Sequence, residues 1–125
     1  MLQHITLTLA REPDFPEGST ECGYDIVAPL DSAGHLDPEA WHKAKAQCRV
    51  RRFWVGEDDR SGLLVHQAGG VHGATWKIDY DPKASNEDES GYRLDTHHFV
   101  ANEYVSIRDA DGHPHTFKIK EIHPA

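Results

Sequence analysis

Apolar and polar residues alternate with a period of two along most of the chain. In Ile5-Thr6-Leu7-Thr8-Leu9 the aliphatic side chains project to one side and the threonines to the other, as in a strand with one buried face. "GYDIVAPL" places Tyr24, Ile26 and Ala28 together, with Pro29 at a strand end or on an edge. "VRRFWV", "LLVH", "TWKIDY", "EYVSIR" and "TFKIKEI" continue the alternation, each bounded by turn formers. About seven short strands at this spacing predict a mainly β fold, a small antiparallel β-barrel.

One segment breaks the period. In "HLDPEAWHKAKAQC", Asp37 has the chemistry of a helix N-cap, Pro38 fits the first helical position, and Glu39 complements the positive helix end. Ala40, Trp41, Ala44 and Cys48 recur at helical spacing. The pattern predicts one short α-helix near residues 38–48 that plugs or flanks the barrel, with Trp41 as its core anchor. The stretches Arg11–Gly23 and Asp81–Gly91 are rich in Pro, Gly and acidic residues and are expected to be exposed, mobile loops. With no internal repeat and no linker composition, residues 1–125 are expected to form a single globular domain.

The turn within "SIRDADGHPHTFKI" can be derived from parity. Val105 and Ile107 share a buried face with Phe117 and Ile119 only if opposed residues project to the same side. A two-residue Asp111-Gly112 turn opposes Ile107 to Thr116 and Val105 to Lys118, which fails. A three-residue Ala110-Asp111-Gly112 turn opposes Ile107 to His115 and Val105 to Phe117, with Asp109 opening the turn and Gly112 at the position that needs positive φ. The aspartates are then turn residues. A calcium loop is not expected, since the further oxygen ligands and terminal Glu of an EF-hand are missing.

Composition changes the picture on the side of partners. The chain is acidic, with formal net charge -8 and ten histidines. That balance opposes nucleic acid and anionic membranes. Cys22 and Cys48 cannot make a disulfide framework and do not form a Cys-x-x-Cys motif. Free thiols, no signal-peptide pattern and no bilayer-length apolar run point to the cytoplasm.

The hairpin register also groups chemistry. Asp109, His113 and His115 fall on one face near the tip, and imidazole with carboxylate suits zinc or a similar divalent transition metal. His97 and His98, entering the preceding segment, complete the candidate ligand set. His113-x-His115 resembles a fragment of the cupin metal motif, with Glu121 downstream on the same parity. Glu121 comes one residue too late for that motif, no glycine follows it, and the second cupin motif has no counterpart. A second candidate is "RVRRFWV", where Arg49, Arg51 and Arg52 interleave with Phe53 and Trp54 as in a face that stacks bases and holds phosphates of single-stranded nucleic acid. Its structural alternative is a barrel strand with Val50 and Trp54 on one face and the arginines on the other, paired to carboxylates. The glycines of "VHQAGGVHGATW" precede a strand, so they are read as a hairpin turn and bulge.

No Gly-x-Ser-x-Gly and no cysteine-protease neighbourhood is present. The expected function is therefore a non-catalytic binding or accessory module for a small ligand or a partner protein. A histidine-rich metal-binding protein or small metal-dependent enzyme is the alternative, and a single-stranded nucleic-acid binder the second.

Overall fold

The computed structural model describes residues 2–70, 73–80, 89–91, 99–109 and 112–125. Its strands are β1 (Leu2–Leu9), β2 (Ser19–Pro29), β3 (Arg49–Phe53), β4 (Arg60–Gly70), β5 (Gly73–Asp79), β6 (Glu89–Gly91), β7 (Tyr104–Arg108) and β8 (Pro114–Pro124). Each pairs antiparallel with the next, and β1 pairs with β8, closing the barrel. Among the described residues, the seam between β6 and β7 shows one pair, Ser90 with Arg108. The strand β6 lies in the segment expected to be loop; residues 81–88 of that segment are outside the described residues.

The alternation read from sequence decides what is inside. Ile5, Leu7 and Leu9 of β1 meet Tyr24, Ile26 and Ala28 of β2, Val50 of β3, Leu64 of β4, Trp76 and Ile78 of β5, Val105 and Ile107 of β7, and Phe117 and Ile119 of β8. All are buried and form one apolar cluster. An eight-stranded barrel is just wide enough for side chains to fill, and these large residues fill it.

Two irregularities adjust the faces. Between β1 and β8 the register steps from Thr6–Glu121 to Leu7–Ile119, so Lys120 is an extra residue on β8. Such a bulge lets Ile119 and Ile122 both turn toward the core although they are three apart. It also sends Glu121 outward opposite Thr6, which breaks the parity that linked Glu121 to the hairpin histidines. Between β1 and β2 the register shifts after Thr8–Gly23. A Cβ on Gly23 would stand 1.9 Å from the Leu7 carbonyl oxygen, so the close approach of β1 admits only glycine there.

Because the strands run up and down in order, α1 (Pro38–Lys43) sits at one end of the barrel, between β2 and β3. The Asp37 carboxylate accepts from the backbone N–H groups of Glu39 and Ala40, as its N-cap position demands. The helix is shorter than its periodicity predicts: at Ala44 the backbone leaves helical geometry and a 3-10 turn, Lys45–Gln47, follows. Trp41 anchors the element, its Nε1–H donating to the Leu64 carbonyl at 2.8 Å while the ring meets Trp76 edge-on at 6.0 Å. Asp37→Ala is expected to destabilise the protein by about 1 kcal/mol, read as a lowered denaturation midpoint. An unchanged midpoint would show that Trp41 alone holds the element.

Candidate functional site

Among the described residues, the β1–β2 loop, the β3–β4 turn and the β7–β8 hairpin meet at the barrel end opposite α1. The hairpin has the register derived from parity, with Val105 opposite Phe117 and Ile107 opposite His115. Asp109 N–H donates to the His113 carbonyl, Gly112 N–H to the Asp109 carbonyl, and Gly112 adopts φ +85°. The Asp109 Oδ1 atom accepts from the His113 backbone N–H at 2.9 Å, which is turn chemistry rather than cation binding.

Of the expected ligand set, the described members Asp109, His113 and His115 do not converge on a common point. The His113 ring is 76% exposed and stands 3.9 Å from Asp109. His97 and His98 lie outside the described residues. His115 does turn inward, but both of its ring nitrogens face carboxylates. Nε2 is 3.1 Å from Asp109 Oδ2 and Nδ1 is 2.9 Å from Glu12 Oε2. A ring that donates from both nitrogens has no lone pair to give a metal. Among the described residues no three His, Cys, Asp or Glu side chains converge on a common point. Glu12 and Asp109 flank the imidazole from opposite sides, which is why this acidic pair and its histidine do not converge.

Glu12 is the residue that the sequence pattern missed. It belongs to the loop expected to be exposed and mobile, yet the Glu12–Phe15 backbone pair closes a tight turn there. That turn aims Glu12 at His115 and Phe15 at Trp54, whose rings meet edge-on at 6.2 Å. Trp54 in turn faces His115 at 5.8 Å. Burial works against charging His115, but the hydrogen bonds and charges of Glu12 and Asp109 outweigh it, so its pKa is held above the usual value.

The arginine-rich strand does not present one face. Arg51 points outward and bonds Asp25 and Asp59. Arg52 shares the side of Val50 and Trp54, a correction to the expectation that all the arginines oppose them. Its guanidinium stacks 4.6 Å from the Trp54 ring centroid and pairs with Glu57. Arg49 and Arg51 are therefore on the outer face, while Arg52 and Trp54 belong to the barrel end. Period-two geometry prevents the four from stacking bases and gripping phosphates together.

Asp25 organises the outer face. It accepts from Arg51, from the Thr6 hydroxyl at 3.1 Å and from His4 Nε2 at 3.2 Å. Burial opposes its charge, yet those bonds and the positive charge of Arg51 hold its carboxyl below the usual value.

Within the glycine-rich stretch β4 and β5 pair antiparallel, with Gly70 opposite Gly73 and a register shift after Gln67, in keeping with the expected bulge; residues 71–72 of the expected turn lie outside the described residues. Cys22 and Cys48 are buried and unbonded to each other. Desolvation pushes the Cys48 thiol up, away from the reactive thiolate.

A concave surface lies outside the barrel. Thr8, Lys118 and Tyr104 form a cross-strand row on the outer faces of β1, β8 and β7. With Arg11 and Glu17 from the β1–β2 connection and Ser19 and Glu21 from the start of β2, they line an open groove of about 960 Å³. Tyr104 is 52% exposed on its wall. Among the described residues no helix is long and apolar enough to cross a membrane. No protein-family model matches the chain, and no curated protein and no solved structure matches it either.

Proposed function

We propose that this protein is a non-catalytic binding module and that a partner polypeptide docks on the outer groove beside Tyr104. The carrying observation is the contrast between a barrel interior filled with side chains and an open, polar groove on its exterior. Small-molecule sites are enclosed and mostly apolar, and this groove is neither. Polar rims with an exposed tyrosine are instead characteristic of protein interfaces. Arg11 and Lys118 stand among Glu17 and Glu21, so the groove carries both signs of charge and suits a partner that does the same. The net charge of -8 and the engagement of Arg51 with two carboxylates argue against a nucleic-acid partner. The setting we infer is the cytoplasm, where two free, buried thiols are at home.

A double variant, Tyr104→Ser with Lys118→Glu, tests the groove without touching the core. Immobilised wild-type protein is expected to capture a stoichiometric partner whose affinity falls at least about 30-fold in the variant, the loss of a tyrosine hot spot being worth about 2 kcal/mol. Equal capture by both proteins, with unchanged melting temperatures, would exclude the groove as the docking surface.

A further inference from the structure

Away from the groove, at the other end of the same two strands, His4 of β1 and His123 of β8 are directly opposed. Their ring centroids are 4.8 Å apart at an interplanar angle of 87°. Two imidazoles that share one metal at M–N distances of about 2.0 Å have centroids about 4.5–5 Å apart at square or tetrahedral angles. The observed pair, packed edge-on, stands at that separation on a sheet whose hydrogen bonds hold both backbones in place.

The polar neighbours of both rings suit ligation. A carboxylate accepts only, so the contact of His4 Nε2 with Asp25 Oδ1 places the ring proton on Nε2 and the lone pair on Nδ1. Asp25 is itself fixed by Arg51 and the Thr6 hydroxyl. A histidine whose second nitrogen donates to an anchored carboxylate is the usual outer-shell arrangement of a metal-bound imidazole. The His123 Nδ1 atom faces the Pro124 carbonyl oxygen at 3.4 Å, which directs that ring's lone pair to Nε2.

We infer that His4 and His123 form a two-imidazole site for a divalent transition-metal ion of the imidazole-preferring class, copper(II) or zinc(II). Asp25 is its orienting carboxylate. Two protein nitrogens leave the remaining coordination positions to water, so the affinity falls in the micromolar range, and copper(II) binds more tightly than zinc(II) by the general stability order of divalent ions. The site is independent of the groove and of the proposed partner.

The test titrates chelator-treated full-length protein with copper(II) and, separately, zinc(II). Wild-type protein is expected to take one equivalent, with imidazole nitrogen coupling in the copper(II) electron paramagnetic resonance spectrum. His123→Ala, at an exposed strand end, and His4→Gln each weaken that equivalent by at least about 10-fold, since losing a ligand matters no less than losing an outer-shell partner. A His113→Ala/His115→Gln variant retains it, which separates this site from the hairpin tip. Failure of wild-type protein to bind an equivalent in the micromolar range would overturn the inference. So would His123→Ala, with its fold checked by circular dichroism, binding as tightly as wild type.

Discussion

Phe117→Ala is expected to destabilise the protein by about 3–5 kcal/mol, the range for truncating a large aromatic in a core. Phe117 is 1% exposed and sits on β8 opposite both Leu9 of β1 and Val105 of β7. Its ring meets Tyr24 edge-on at 5.0 Å and lies 6.4 Å from Trp54. Because β8 is hydrogen-bonded on both sides, neither neighbour can move in to close the space, and most of the cavity persists. Against a typical total stability of about 5–15 kcal/mol, that is a large fraction. Chemical denaturation followed by far-ultraviolet circular dichroism measures it as a lower midpoint at similar slope. A loss below about 1 kcal/mol would mean that the barrel repacks around the deletion.

The second large effect is a pH dependence seated on His115. Its pKa in the folded protein lies above the unfolded value of 6.5, because Glu12 and Asp109 favour the charged ring more than burial disfavours it. A group whose pKa is raised on folding stabilises fully below its unfolded pKa, and that contribution fades as pH rises through the folded value. The stability difference between wild type and His115→Gln is therefore expected to be greatest below pH 6.5 and to shrink on the alkaline side. Other groups near this ring include His113, whose Nδ1 stands 3.9 Å from Asp109, and Arg52, stacked on the far partner Trp54. Titration of the His115 ring by nuclear magnetic resonance reads the cause directly. Glu12→Gln removes one carboxylate charge and should lower the His115 pKa. A titration midpoint indifferent to Glu12→Gln would sink the assignment of that pair.

These two residues differ in how they announce themselves in the sequence. Phe117 lies in "TFKIKEI", where alternation marks it as core, and its pairing with Val105 follows from turn chemistry a few residues away. The Glu12 partner of His115 is 103 residues distant in the chain, in a segment whose prolines and glycines read as loop. No local pattern distinguishes a glutamate that turns inward from one that stays in water. The split of the arginines was available from parity alone, since 50, 52 and 54 share a face, but an expectation that cations point outward obscured it. Arg52 is tolerated at the barrel end because Trp54 and Glu57 receive it there.

The bulge at Lys120 shows the same limit from the other side. Strict alternation places Glu121 with Phe117 and Ile119, and one additional residue, recognisable only once β1 lies beside β8, turns it outward. The helix ends early for a comparable reason: Trp41 docks on Leu64 and Trp76, and the chain must then bend into β3, so Ala44 abandons helical geometry. By itself the sequence determined the strand periodicity, the Asp37 cap and the Asp109–Gly112 turn, because these rest on interactions between residues close along the chain. The β6 strand and its pairing, the Glu12–His115–Asp109 contact, the His4–His123 pair and the groove beside Tyr104 were decided only by the tertiary structure. They depend on which strands become neighbours, and that choice is made by burial of the whole core at once.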